Sequence, residues 1–263
     1  MATPLKRAVS LAAGWLADRK LPTPLRAPIY SAYARLTGAR LDEVRPPLAG
    51  YPSLGAFFVR RLVDGARPID QDPAHIVAPV DGTVQSLDPI EQGTVLQAKG
   101  RAYAVRDLLA GVGEDVELEG GFAWTIYLGP RDYHRIHAPE ACRIVAARWV
   151  PGARHSVNPR VLARRPVLAI NERCVLRLET GRGPLLFVLV GAVIVGRIRV
   201  VGLEPGADGA LETPLERGRG EELARFEMGS TIVLLAPPGY ARPLPALAPG
   251  QPIRLGAPIG RAP

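Results

Sequence analysis

Twelve consecutive apolar residues, Leu185 to Gly196, constrain this chain more than any other stretch of it. A membrane-crossing helix needs about 20 such residues. A shorter run that carries Gly191 inside it and ends on Gly196 reads as a strand buried on both faces. Further β-prone runs stand on either side: Phe122 to Leu128, Cys142 to Val150, Val175 to Leu178, Arg197 to Val201 and Thr231 to Leu235. Glycine and proline, 28 and 27 in number, supply turns between them. The predicted fold class is α+β, a β-rich body of antiparallel or mixed sheets behind an N-terminal amphipathic helical segment. With 263 residues, 47% of them hydrophobic, the chain can bury one sizeable core. Asp81-Gly82, between Ile76–Val80 and Thr83–Leu87, predicts a hairpin. Tyr103 to Ala110 predicts a short helix, and the Pro- and Gly-rich end from Pro237 to Pro263 predicts loose structure.

Charge divides the chain at about residue 67. Residues 1–67 hold 11 Lys/Arg against 4 Asp/Glu, while residues 68–263 are nearly balanced at 22 against 21. A basic segment on a near-neutral body points to an anionic partner, either nucleic acid or acidic lipid. Three helices are predicted in it. The first starts at Thr3-Pro4 and carries Leu5, Val9, Ala12, Trp15 and Leu16. The second runs from Pro28 with Ile29, Tyr33 and Leu36 on one face and stops at Gly38. The third follows Ser53 with Leu54, Phe57, Phe58 and the pair Arg60-Arg61. Basic amphipathic helices with Trp and Phe on the apolar side suit a membrane interface; packing against the body is the alternative. Cys142 and Cys174 form no C-x-x-C pair and read as two buried thiols in a reducing compartment. No apolar stretch ahead of a small-residue cleavage site marks a signal peptide.

Several residue types could carry chemistry. Asp81 before Gly82 is a preferred turn residue, and also a carboxylate beside two β-runs. His134 and His137 lie within Asp132-Tyr133-His134-Arg135-Ile136-His137-Ala138-Pro139. They read as surface histidines, as metal ligands without an obvious third partner, or as acid/base groups near their unperturbed pKa of about 6.5. Ser230 follows Gly229 directly and leads into Thr231-Ile232-Val233-Leu234-Leu235. The glycine leaves its carbonyl sterically open, so a deprotonated Ser230 could attack the backbone beside it. The hydrolase pattern G-x-S-x-G is absent around it. The three lysines, Lys6, Lys20 and Lys99, lie in the basic segment or beside a glycine, which argues against a pyridoxal Schiff base.

Taken together, Phe57-Phe58-Val59-Arg60, Ala78-Pro79-Val80-Asp81-Gly82, Asp132-Tyr133-His134-Arg135-Ile136-His137, Ser156-Val157-Asn158, Asn171-Glu172-Arg173, Val190-Gly191-Ala192 and Gly229-Ser230-Thr231 follow one another in a distinctive order. This series resembles the pyruvoyl-dependent phosphatidylserine decarboxylase family of bacterial phospholipid synthesis. The resemblance implies a zymogen whose relay of Asp81, His137 and Ser230 cuts the chain between Gly229 and Ser230, giving chains 1–229 and 230–263. Ser230 would become a pyruvoyl group that condenses with the substrate amine and accepts electrons as carbon dioxide leaves. His134 would serve the decarboxylation step. No metal or added cofactor is implied. The resemblance further implies a heterodimer of the two product chains, compatible with a homodimer of that unit. It favours an anionic phospholipid membrane over nucleic acid as partner, with the protein peripheral on the cytoplasmic face of the cell membrane. The domain division expected is 1–67, membrane-associating, and 68–263, catalytic. Met228 and His155 stand where leucine and an aromatic are more usual. Arg135 and Arg173 are candidates for headgroup contact by charge alone. Two other readings remain: a pyruvoyl decarboxylase of a soluble amino acid, and a non-catalytic carrier or membrane-binding module. The carrier reading lacks a modifiable lysine in the Asp81-Gly82 turn.

Overall fold

The computed structural model describes residues 14–98, 101–162, 164–192, 198–227 and 230–263. Its centre is an eight-stranded sheet in the spatial order Asp208–Arg217, Cys142–Val150, Arg173–Thr180, Gly183–Gly191, Ser230–Ala236, Phe122–Leu128, Gly82–Pro89 and Pro252–Ile253. Every neighbouring pair is antiparallel. Antiparallel sheets commonly leave one face wet and alternate apolar with polar residues. Here both faces are covered at the central strands Gly183–Gly191, Ser230–Ala236 and Phe122–Leu128, which is why those runs read as continuously apolar, while the outer strand Asp208–Arg217 is largely exposed. Ile232, Leu234, Phe187 and Leu189 enter one core, while Val233, Leu235, Val188 and Val190 enter the other. The first core is roofed by small three-stranded sheets that bring in Ile76, Ile136, Phe226 and Ile259. The second is covered by the short helix Val105–Leu109 and by Tyr103, Val157 and Leu162. Cys142 and Cys174 are free thiols buried in the first core.

Two expectations are corrected. Asp81-Gly82 does not turn a hairpin: His75–Val77 pairs with Pro258–Arg261 in a small sheet, while Gly82–Pro89 lies in the large one. The chain crosses between layers at Asp81, and glycine is required next to it by crowding. A Cβ on Gly82 would stand 2.5 Å from the Tyr127 carbonyl oxygen. The C-terminal stretch is ordered into the fold. Pro252–Ile253 forms the sheet edge, Ile259 is fully buried, and its carbonyl accepts a hydrogen bond from Trp124 Nε1 at 3.1 Å. Proline and glycine there serve short edge strands and turns, their permitted places in sheets.

In the basic segment, residues 14–17 are helical, and the rest of the first predicted helix lies outside the described residues. The second helix spans Thr23–Thr37, starting five residues before Pro28, and ends on Gly38 at φ 82°. Tyr30 and Ala34 face inward and Leu36 outward, a rotation from the predicted face. The third, Leu54–Phe58, begins at Ser53, whose hydroxyl accepts from Ala56 N at 3.1 Å. Tyr30, Val44 and Phe57 form a small core of their own, with Tyr30 stacked on Phe57 at 4.4 Å.

Candidate active site

Three adjacent strands of the large sheet continue into a small sheet. Gly183–Gly191, Ser230–Ala236 and Phe122–Leu128 lie side by side, and Ile198–Val200, Glu222–Phe226 and Arg135–His137 lie side by side in the same order. The strands of the two sheets stop and start at one level, where Gly191, Ser230 and Leu128 stand side by side. Of the residues that link them, 193–197, 228 and 229 lie outside the described residues. Ser230 opens the central strand there, paired with Leu128 on one side and Gly191 on the other. His134 closes the 129–134 crossing. Thr83, Tyr127, Thr231 and Val190 form one cross-sheet row. Asp81, two residues before Thr83, therefore stands two strand spacings from the Ser230 strand, about 10 Å. His137 N donates to Pro79 O at 2.8 Å, which brings its strand alongside Asp81. Residues 149 positions apart in sequence thus face one break in the sheet.

At that break Ser230 is fully buried, and its Oγ has no hydrogen-bond partner among the described residues. His134 is also fully buried. Its Nε2 lies 2.9 Å from Gly129 O, and because a carbonyl only accepts, Nε2 carries the proton and Nδ1 keeps its lone pair. Nδ1 has no partner either. Burial pushes the pKa of His134 down to about 3, so the ring is neutral at ordinary pH. It stacks on Phe58 with centroids 4.0 Å apart. His137 is half-buried; Nδ1 donates to Gly220 O at 2.9 Å, leaving Nε2 to face Tyr133 Oη at 3.4 Å. Burial lowers the His137 pKa, with Arg135 adding to the effect, against the pull of the Gly220 carbonyl, the charge of Glu222 and, more weakly, the charge of Asp81. Burial also pushes Tyr133 up to about 12, so its hydroxyl stays protonated and can donate to Nε2. Asp81 has no hydrogen bond to His137: its oxygens accept from Arg67 Nε at 2.8 and 3.1 Å, Arg67 Nη2 at 2.6 Å and Leu255 N at 2.9 Å. The carbonyl of Gly220 orients His137, while Asp81 acts on it through charge.

Elements of the basic segment wall this break, which sequence patterning does not reveal. Tyr33 Oη donates to Pro130 O at 2.6 Å, and Arg60 Nη2 to Arg131 O at 2.9 Å and Asp132 O at 3.2 Å. Both grips fall on the crossing that carries His134. Asn171, fully buried, donates from Nδ2 to Gly191 O at 2.9 Å and to His155 O at 2.8 Å, while its Oδ1 accepts from His155 N. One amide thus ties the Ser156-Val157-Asn158 loop to the strand beside Ser230. Arg135 and Arg173 are spent elsewhere: Arg135 pairs with Glu222 at 2.7 Å, and Arg173 donates to the carbonyls of Leu108, Asp107, Ala169 and Asn171.

The sequence profile described as phosphatidylserine decarboxylase matches residues 54–261. The chain belongs to this decarboxylase family. It is 40% identical over 269 residues to a phosphatidylserine decarboxylase proenzyme of Anaeromyxobacter sp. (strain K), covering 98% of this chain and 95% of that one. It is 41% identical over 239 residues to the proenzyme of a Pseudomonas fluorescens strain, covering 86% and 81%. It is 38% identical over 267 residues to that of Marinobacter nauticus, covering 97% and 93%. A pyruvoyl group is made from a residue of the chain, and Ser230 has parts such chemistry uses: a buried hydroxyl without a partner among the described residues, a glycine before it in sequence, and His134 with its free Nδ1 on the crossing that follows Leu128.

Proposed function

We propose that this chain cuts itself between Gly229 and Ser230 and, through a pyruvoyl group at position 230, decarboxylates phosphatidylserine to phosphatidylethanolamine and carbon dioxide. The observation that carries the reading is the Ser230 hydroxyl, buried and without a partner among the described residues, at the head of the central strand; His134 lies on the neighbouring 129–134 crossing and His137 three residues further along, and burial lowers the pKa of both. Ser230 Oγ adds to the Gly229 carbonyl as His137 Nε2 takes its proton; the amide C–N bond breaks and an ester forms. The Asp81 charge favours the imidazolium that develops. Loss of the Cα proton of residue 230 then expels Gly229 as a carboxylate and leaves a dehydroalanine. Tautomerisation, addition of water and loss of ammonia complete the group. It supplies a ketone that takes the substrate amine and accepts the electrons released with carbon dioxide. His134 Nδ1, a free proton-binding atom at the break, takes a proton that the substrate ammonium gives up on condensing with the ketone and delivers it to the carbon that lost the carboxylate.

The substrate is an anionic lipid, and the basic segment is the part that meets it. Trp15, Leu16, Leu25 and Leu36 are 60, 67, 50 and 88% exposed, and Arg19 lies 3.7 Å over the Trp15 ring. Apolar side chains beside cations suit a peripheral seat on an anionic leaflet, the cytoplasmic face of the cell membrane. No helix among the described residues is long and apolar enough to cross a membrane. Intact mass spectrometry of purified protein tests the reading. Two chains, 1–229 and 230–263, should travel as one complex on a native column, with a ketone in place of an amine at the start of the shorter. Ser230→Ala should remain a single chain of 28.2 kDa without carbon dioxide release. A cut Ser230→Ala chain places the scissile bond elsewhere.

A further inference from the structure

The carboxylate of Asp81 is held by a residue that neither composition nor motif order singles out. Arg67 forks onto it with Nε and Nη2, and the same Nη2 donates to Glu43 at 2.8 Å while Nη1 donates to Ala66 O at 2.7 Å. The side chains of Arg67, Asp81 and Glu43 are 9, 9 and 12% exposed. Bidentate, charge-assisted bonds in such surroundings are strong and directional. Glu43 is itself braced by Arg40 at 3.0 Å and Arg254 at 3.5 Å. The chain of contacts therefore runs from the basic segment through Glu43 and Arg67 to Asp81 at the sheet break. It borders a cleft of about 230 Å³ that Tyr133 and Arg60 also line. Arg60, Asp132, Tyr133 and His137 feel the Asp81 charge, and Arg131 and Arg254 line the same cleft.

We propose that Arg67 is a positioning residue for self-cleavage: braced by Glu43, it fixes the orientation of the Asp81 carboxylate, so that the cut depends on how the basic segment is seated. The inference rests on the role given to Asp81 above. Without Arg67 the Asp81 carboxylate keeps only the bond from Leu255 N among the described residues and can turn away from His137. Decarboxylation by molecules already cut does not call on this contact.

The test follows labelled full-length chains from cell-free synthesis as they cut at neutral pH. Decarboxylation is measured per cut chain. Arg67→Met should cut about tenfold more slowly. Arg67→Lys keeps the charge but loses the fork, so it should restore only part of the rate. Glu43→Gln should slow the cut less than Arg67→Met, with decarboxylation per cut chain unchanged. If Arg67→Met fails to accumulate, Arg67→Lys and Glu43→Gln carry the comparison. Wild-type cutting rates in the Arg67 variants, with Asp81→Asn blocked, overturn the proposal and leave the Asp81 role standing. Wild-type cutting by Asp81→Asn removes Asp81 from the relay, and Arg67 with it. Loss of decarboxylation per cut chain in step with cutting would instead make Arg67 a support for the whole fold.

Discussion

His134 concentrates the physical cost of this site in one ring. It is sealed from water, stacked on Phe58 and hydrogen-bonded through one nitrogen only. Its pKa is about 3 folded and about 6.5 unfolded, so the unfolded chain binds more protons between those values. The stability contribution is complete above pH 6.5 and is lost progressively as the pH falls toward 3. His134→Gln should flatten that dependence, seen as a smaller drop in urea midpoint between pH 7.5 and pH 4.5 than in the parent chain. The same variant should still cut itself but decarboxylate about 10²–10⁴-fold more slowly, the usual range for loss of a positioned proton carrier. Uncut His134→Gln would move this residue into the first reaction. At this scale the sequence is informative where chemistry dictates residue type, as at Ser230 and the histidine pair. It is silent on Arg67, Tyr133 and the Gly220 carbonyl. These are a loop arginine, a phenol and a backbone oxygen, which acquire roles only when distant segments meet.

Strands show the same division. The apolar runs 122–128, 185–191 and 231–235 were legible because both faces of the large sheet are dry at its centre; 142–150, with Arg143 exposed, was legible from its alternation. Their order was not, since pairing partners lie up to about a hundred residues apart and nothing local encodes the match. Asp81-Gly82 misleads for a related reason: the dipeptide that usually closes a hairpin serves here to bring one backbone against another. Gly82→Ala would drive its Cβ to 2.5 Å from the Tyr127 carbonyl oxygen and 2.9 Å from Ile126 Cγ2. Overpacking of this kind costs about 1–3 kcal/mol, and a backbone obstacle cannot swing aside. A lowered urea midpoint together with slower cutting is expected. An unchanged midpoint would mean that the edge of the sheet yields freely there. The C-terminal strands were hidden by their proline and glycine content, although they close the sheet edge and shelter Trp124.

Across the whole molecule, the basic segment and the C-terminal stretch are parts of the catalytic body's surroundings rather than appendages. The net charge of the first 67 residues, +7 of a total +8, was visible in composition. That Tyr33, Phe58, Arg60 and Arg67 reach the site from that segment was not. Vesicle flotation addresses its outer side. The protein should rise with phosphatidylserine vesicles at low salt and less at high salt, and Trp15→Ser with Leu16→Ser should weaken flotation while the soluble fraction still cuts itself. Equal flotation of the double variant would assign membrane contact to another surface.

After the cut, Ile232, Val233, Leu234 and Leu235 remain fully buried, worth roughly 6–12 kcal/mol of gross apolar burial at about 1.5–3 kcal/mol each. Their strand has a neighbour on each flank. Chain ends ordinarily lie outside, where proteases reach them. With the cut proposed above, the new terminus would be born indoors, at a residue with no exposed surface. A folded chain offers Ser230 to no external peptidase, so such a maturation would be an inside job, and the reactive end would stay walled in by the fold that made it.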